Sequence, residues 1–338
     1  HGPQIPGFGG AHMQAEQAVT GLNDRNSISS DVCAVCHGEP LRHARFQQWQ
    51  LSKHANYEVA IDEGESGNCS RCHTGNGFLT WLPVLLGDEP GDPTASIEVA
   101  WTSDEVHPQT CGTCHDPHNI GTTSGSDPNA TVRISGDTPL LIAGYIAFDV
   151  ERGAICITCH NTRRGLRNDN VPLTDPTRAP HGSAHGDMLM GQNAYLVDLG
   201  DPVDGYDFPE GLPGSHASLA DACVKCHMEE TDPPDDLAYN QGGTNHTFFA
   251  SDEICSKCHG FSADAVQGPV AESLDTLQGL VEEALLALIT ELTEAGNTVI
   301  LDDEVIFSSR NLNTIGEIVF GETRGRQAIT VIFVDGTE

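Results

Sequence analysis

All twelve cysteines of this 338-residue chain lie in one pattern, C-x-x-C-H, which recurs six times. The cysteine pairs are Cys33/Cys36, Cys69/Cys72, Cys111/Cys114, Cys156/Cys159, Cys223/Cys226 and Cys255/Cys258, and the closing histidines are His37, His73, His115, His160, His227 and His259. Two thiols three residues apart reach the two vinyl groups on one edge of a porphyrin, and the adjacent histidine reaches the iron. The sequence therefore predicts six haem c groups, with these six histidines as proximal iron ligands.

Three other uses of paired cysteines fit the pattern less well. Twelve thiolates could form three zinc sites of four cysteines each, but zinc does not require a histidine directly after every second cysteine. Redox dithiols of the thioredoxin type occur singly, ahead of a helix in a βαβ unit, and no such unit is indicated. A disulfide framework does not need uniform spacing. The motif favours haem.

Six of the 16 histidines close motifs, so ten remain. A distal ligand for each iron is the simplest use for them, because neutral imidazole binds iron well. His118 follows His115 in Cys-His-Asp-Pro-His, where the proline keeps His118 from its own iron and favours a neighbouring haem. The predicted distal ligands are His54, His107, His118, His181, His216 and His246. His12 and His43 are alternatives to His107.

Methionine could replace histidine as a distal ligand, but the chain has only Met13, Met188, Met190 and Met228. Two protein nitrogens on every iron would leave no open coordination position for a substrate. The expected activity is electron transfer without catalysis, and we expect no catalytic residue.

Several segments resemble known multihaem cytochromes. Trp49–Ala55 resembles the W-x-x-S-x-H-A element of hydroxylamine-oxidoreductase-like and nitrite-reductase-like proteins. Cys111–His118, Pro180–Gly191, Cys223–Met228 and Asn245–Phe248 are similar to segments of multihaem cytochromes of metal-reducing bacteria, a resemblance that implies His181 rather than His185, and also His246, as axial ligands. The nitrite reductases carry a lysine in place of one proximal histidine and the hydroxylamine enzymes a haem-linked tyrosine. Neither feature is present here.

Six haems on one chain also resemble the extracellular cytochrome filaments, in which subunits polymerise. That resemblance implies a homopolymer that passes electrons to redox partner proteins or to extracellular acceptors such as minerals, electrodes or other cells. His12, ahead of all the motifs, is the candidate to reach a neighbouring subunit. Two other functions stay open, a monomeric periplasmic shuttle and an oxidoreductase of the nitrite, hydroxylamine or sulfur-oxyanion type with one open haem.

The formal net charge of −33 disfavours nucleic acid and anionic membrane surfaces and favours cations, basic partners or minerals. No run of 18 apolar residues exists, so no membrane span is expected. The start at His1, without a basic and apolar leader, and the covalent haems both lead us to expect an exported protein. Acidic loops such as Gly87–Thr94 could bind Ca²⁺, but no ladder of alternating aspartates indicates it.

Only 38% of the residues are hydrophobic, and 36 glycines and 19 prolines predict much irregular chain. We expect a haem-organised fold, mostly loops with short α-helices around a chain of haems. The predicted parts are an N-terminal arm at 1–30, a hexahaem domain at 31–265 and a haem-free appendage at 266–338. The appendage is predicted to hold a helix over 269–295, beginning at Pro269, and strands at Thr298–Phe307, Glu317–Phe320 and Gln327–Val334. It serves either as a cap or as an assembly element.

Overall fold

The computed structural model describes residues 29–38, 44–116, 132–166, 181–193, 213–229, 244–251, 253–294, 299–301, 304–307, 315–323 and 326–333. The chain divides into two compact units, His1–Ala250 and Ser251–Glu338. This division lies upstream of the boundary suggested at 265/266, so the sixth motif, Cys255–His259, belongs to the second unit. The arm at 1–30 lies almost entirely outside the described residues.

Short helices joined by irregular chain make up the first unit, which confirms the expected fold at this level. Its described α-helices are α1 Ser30–His37, α2 Arg45–Gln50, α3 Tyr57–Gly64, α4 Ser70–His73, α5 Gly75–Leu86, α6 Cys111–Cys114, α7 Ala154–Cys159, α8 His185–Met190 and α9 Cys223–His227. Single 3-10 turns occur at Lys53–Ala55, Ser103–Glu105, Glu151–Gly153 and Ser215–Ser218. The described part of this unit has no β-strand, only an isolated bridge between His115 and Val132.

Side-chain caps and one glycine fix the ends of the helices around the second motif. The Asn56 side chain accepts from the Glu58 N–H at the start of α3. The Thr74 hydroxyl accepts from the Gly77 N–H at 2.8 Å and starts α5 directly after the second motif. Helix α5 ends at Gly87, whose φ of 78° is the left-handed conformation that glycine adopts without strain. Local capping therefore sets where the chain turns away from the motif.

The apolar interior of the first unit is centred on α5. Phe78 and Trp81 of this helix are almost completely buried and belong to one cluster with Leu141 and Ile157. A second, smaller cluster contains Ala60, Trp101 and Val106. Both side chains between the cysteines of the second and fourth motifs are buried, and so is one of the two in the third and fifth motifs; these residues are Ser70, Arg71, Thr113, Ile157, Thr158 and Val224. The second and fourth motifs therefore lie inside the first unit and form part of its centre.

Replacing Gly77 with alanine should destabilise the packing of α5 on the second motif. An added Cβ would collide with the Ser70 carbonyl and lie 2.9 Å from the Arg71 nitrogen, and both are backbone atoms that cannot move aside. We expect a loss of roughly 1–3 kcal/mol in the free energy of unfolding, measured by chemical denaturation of the haem-loaded protein. Gly112→Ala is the matched control, because its Cβ would meet only the Thr110 hydroxyl, at 3.9 Å. Equal stability of the two variants would contradict this packing.

The second unit holds the long helix α10, Asp264–Glu294, and four short strands. Its helix begins at Asp264, five residues before the predicted start, so that Pro269 lies inside the helix; Asp264 supplies a favourable charge in the first turn. Strands β1 Val299–Leu301 and β2 Glu304–Phe307 pair antiparallel, as do β3 Ile315–Thr323 and β4 Arg326–Phe333. The single strand predicted over 298–307 is thus two strands.

Apolar side chains along the first half of α10 are exposed. Val270, Leu274, Leu277 and Val281 each keep between 44% and 59% of their surface accessible. They recur at the helical spacing that the sequence predicts. Among the described residues, no helix combines the length and the apolar character needed to cross a membrane.

Candidate haem sites

Each motif forms about one helical turn, which brings its three functional side chains to one side. In the second, third and fourth motifs the histidine N–H donates to the carbonyl of the first cysteine, at 3.1, 3.0 and 2.8 Å for His73, His115 and His160. His259 makes the same bond in the sixth motif, at 2.7 Å. Residues three and four apart on a helix share a face. The two thiols of a motif can therefore reach the edge of one porphyrin, and the imidazole can reach its iron.

Thiols from different motifs meet in pairs. Cys159 hydrogen-bonds to Cys72, and this bond lowers the pKa of the Cys72 thiol to about 6. Cys33 likewise hydrogen-bonds to Cys111 and lowers its pKa to about 7. A third pair joins Cys156 to Cys223. Motif 1 thus adjoins motif 3, and motif 4 adjoins both motif 2 and motif 5.

The second cysteines of the fifth and sixth motifs differ in exposure. Cys226 is half-buried in α9. Cys258 is exposed and directly follows the 3-10 turn Ile254–Lys257. Cys36 lies in α1, but its side chain is outside the described residues. Haem attachment at all twelve cysteines stays a prediction of the motif spacing.

Three histidines of motifs face a histidine from a distant part of the chain. The ring centres lie 6.0 Å apart for His73 and His181, and 6.2 Å apart both for His115 and His246 and for His160 and His54. An imidazole–metal bond is about 2 Å long and the bonded nitrogen lies about 1 Å from the ring centre, so rings on opposite faces of one iron have centres about 6 Å apart. The observed pairs fit the space of one iron porphyrin.

In two histidines, a contact with a backbone carbonyl fixes which ring nitrogen carries the proton. The Nδ1 atom of His246 lies 3.0 Å from the Thr244 carbonyl oxygen, and that of His227 lies 3.2 Å from the Phe248 carbonyl oxygen. A carbonyl can only accept, so Nδ1 carries the proton and Nε2 keeps a free lone pair. A metal-bound histidine is usually oriented in this way.

Burial keeps the paired imidazoles neutral. Desolvation, helped by the nearby His115, lowers the pKa of His246 to about 3. Desolvation also lowers the pKa of His160 to about 4, with smaller effects from His54 and His185. Because only a neutral imidazole can donate its lone pair to iron, these rings are in the state that ligation needs at neutral pH.

Two of the predicted distal ligands have different surroundings. His107 is buried, and its Nδ1 lies 3.1 Å from the Tyr57 hydroxyl. His216 lies exposed in the 3-10 turn Ser215–Ser218. His118, as well as the alternatives His12 and His43, falls outside the described residues. The ligand roles of these residues stay predictions.

His185 and Phe248 are site residues that sequence reasoning did not select. The His185 ring lies 5.5 Å from that of His160, which His54 also approaches. Phe248 packs its ring against His54, with centres 4.4 Å apart, while its carbonyl faces His227. The Pro-His and His-Thr-Phe elements indicated that these segments carry ligands. Nothing in the sequence indicated the particular contacts of His185 and Phe248.

Polar contacts hold the motifs together. Arg152, ahead of the fourth motif, donates to both carboxylate oxygens of Asp221, ahead of the fifth, at 2.8 and 2.6 Å. The Cys111 N–H donates to the Ser30 hydroxyl at 3.1 Å and so links motif 3 to α1. Gln109 donates to the Cys72 carbonyl and links motif 3 to motif 2. The first two contacts join motifs whose thiols also pair, and the third adds a link between motifs 2 and 3.

The Arg152–Asp221 pair makes a pH-dependent contribution to stability. Arg152 lowers the pKa of Asp221, so the stabilisation is complete above the ordinary carboxyl pKa and is lost as the pH falls through the lowered value. We expect Asp221→Asn to cost about 1 kcal/mol at pH 7 and progressively less below about pH 4, measured by denaturation across pH. Asp116→Asn is the control, because Asp116 lies 3.9 Å from Arg133 and should contribute almost nothing. Equal, pH-independent effects of both variants would refute the assignment.

Comparison with models of protein families, with curated proteins and with solved structures found no match for this chain.

Proposed function

We propose that the chain is a hexahaem c-type cytochrome that carries electrons between haems attached at its six motifs. The proposal rests on three motif histidines that each face a histidine from a distant segment. The ring centres of each pair lie about 6 Å apart. Haem c would supply reversible one-electron chemistry at its iron. Two cysteines would hold the edge of each haem, and imidazoles would hold both faces at the three motifs whose histidine faces a second one.

The contacts between motifs support transfer from one haem to the next. Because each thiol is the attachment point of a porphyrin edge, the neighbouring thiols of Cys72 and Cys159 would bring two such edges side by side. The pairs Cys33–Cys111 and Cys156–Cys223 act in the same way for two further pairs of motifs. Close edges favour direct electron exchange. Motif 4, with two neighbours, would lie between motifs 2 and 5 in this network.

Two imidazoles on an iron leave no position at which a substrate could bind. The arrangement therefore favours a carrier over an oxidoreductase with one open haem. Oxidised, purified protein should give only low-spin ferric signals in electron paramagnetic resonance and optical spectra. A high-spin signal equivalent to one haem in the unaltered protein would instead support the enzyme.

The second unit supports assembly of several copies. Residues 251–338 contain a single histidine, His259 of the sixth motif, so a distal imidazole for that motif must come from outside this segment. A neighbouring copy of the chain is one source, as in a filament. The net charge of −33 suits an exported protein that meets basic partners or mineral surfaces. We propose a homopolymeric extracellular conductor, with a monomeric periplasmic shuttle as the alternative.

Electron microscopy of negatively stained, purified protein distinguishes these two forms. A conductor of this kind appears as filaments, whereas a shuttle appears as single small particles. A variant truncated after residue 296 tests the strands as assembly elements. If the truncated protein keeps all its haems and still forms filaments of the same length, the strands have no part in assembly.

A further inference from the structure

We propose that Arg163 is a buried positive charge that raises the reduction potentials of the haems on the second and fourth motifs. The inference rests on the proposed function, since it concerns the haems of those motifs. Arg163 follows the proximal histidine of the fourth motif, His160, by three residues and reaches the second motif with its side chain. It belongs to no attachment motif and is no iron ligand, so it has no other role in the site.

The backbone directs Arg163 inward. Its φ of 55° lies in the left-handed region, which is uncommon for residues other than glycine and costs free energy. The Arg163 N–H donates to the Asn161 side-chain oxygen at 2.9 Å, which holds this turn in place. Only 5% of the Arg163 surface is exposed. The chain thus maintains a strained turn whose effect is to bury a cation.

The guanidinium lies against the second motif. Its Nη1 donates to the carbonyl of Asn68, the residue before Cys69, at 3.3 Å. Arg163 also hydrogen-bonds to the Cys72 thiol, and its charge lowers the pKa values of Cys72 and His73. The same thiol contacts Cys159 of the fourth motif. The positive charge therefore lies where the edges of two haems would meet.

Among the described residues, Arg163 forms no ion pair with a carboxylate. In the same ranges the two ion pairs that arginines form are Arg133–Asp116 and Arg152–Asp221. The Arg163 Nε is buried and has no hydrogen-bond partner there. Glu63 is the nearby acid that opposes it, because Glu63 raises the pKa of His73 where Arg163 lowers it. Burying a charge that has no directly bonded carboxylate is costly, so its position favours a function that uses the charge.

A fixed positive charge favours the reduced state of a nearby haem, because reduction removes one positive charge from the iron centre. A unit charge about 10 Å from the iron, at an effective dielectric constant of about 20, shifts the one-electron equilibrium roughly tenfold. For a one-electron couple, a tenfold shift equals about 59 mV. Two haems of the six should show this shift, because the charge lies beside two motifs.

Spectroelectrochemical titration of the haem-loaded full-length chain tests the role of Arg163. Arg163→Gln should lower two of the midpoint potentials, each by a roughly tenfold shift in the ratio of reduced to oxidised haem at fixed potential. Arg163→Lys keeps the charge and should retain the potentials of the unaltered protein. Arg163→Met is a second neutral variant, which fills the same space with apolar atoms in case the glutamine variant does not fold.

Unchanged potentials in either neutral variant that retains six low-spin haems would overturn the proposal. Equal shifts in the neutral and lysine variants would also overturn it, because packing and not charge would then be the cause. Failure of the proposed function has a different signature, the absence of covalently bound haem from the unaltered protein. The two results cannot be confused.

Discussion

Replacing His181 with alanine is expected to convert one of the six haems from low-spin to high-spin. His181 faces His73 of the second motif with ring centres 6.0 Å apart, so its loss would open one face of that iron to water or leave it vacant. The remaining haems should stay low-spin. Electron paramagnetic resonance of the oxidised protein, calibrated by the haem content, should find about one sixth of the iron in the high-spin form.

His185→Ala is the matched control for this experiment. His185 lies in the same segment as His181 but is exposed, and its ring is 5.5 Å from that of His160, which His54 also faces. We expect this variant to keep every haem low-spin, because we assign the second imidazole of the fourth motif to His54. High-spin iron in the His185 variant together with low-spin iron in the His181 variant would reverse the proposed assignment.

A second large effect is expected when the chain is made without haem, namely loss of the fold of the first unit. The motif residues Ser70, Arg71, Ile157 and Thr158 are buried at its centre, so an unfilled haem space would leave the surrounding side chains without packing partners. The apolar clusters that remain are small for 250 residues. The fold is therefore expected to depend on the cofactor.

Circular dichroism and limited proteolysis measure this effect. Chain expressed where haem is not attached, with its thiols kept reduced, should show no cooperative unfolding and should be cut throughout residues 30–250. The haem-loaded chain is the control, and the protease should cut it in its loops but not in the segments between them. Haem-free protein that unfolds cooperatively, with the same resistant fragments, would show that the polypeptide organises itself without haem.

The sequence predicted short helices and loops in the region of the motifs, and the structure confirms the fold at this level. Each C-x-x-C-H segment is a helical turn in the structure, because its bonds are local. His181 and His246 face motif histidines, yet their partners, His73 and His115, could not be read from sequence distance. Those partners depend on long irregular segments whose path is set by tertiary contacts, such as the bond from the His246 N–H to the Gln48 side chain.

The six motifs share one pattern but differ in their surroundings. The Cys72 thiol meets Cys159 of another motif, whereas Cys226 is half-buried and Cys258 is exposed. Exposure depends on what packs against a motif, and C-x-x-C-H spacing carries no information about that. The sequence therefore predicts where a haem is attached better than how far it is shielded from water.

Proximity in sequence did not give every contact or boundary. His107 precedes the third motif by four residues, which suggested a ligand; its ring contacts the Tyr57 hydroxyl, and its ligand role stays a prediction. In the second unit, the helix begins at Asp264, five residues before Pro269, and the segment predicted as one strand contains two, Val299–Leu301 and Glu304–Phe307. Periodicity gives the type of an element better than its ends.

Mass spectrometry of the denatured, purified protein tests the central claim most directly. Thioether bonds survive denaturation, whereas a coordinated zinc ion or a loosely held cofactor would be lost. The account predicts the mass of the polypeptide plus six haems, with each haem located on a peptide that contains one C-x-x-C-H motif. A mass equal to that of the bare polypeptide would contradict it.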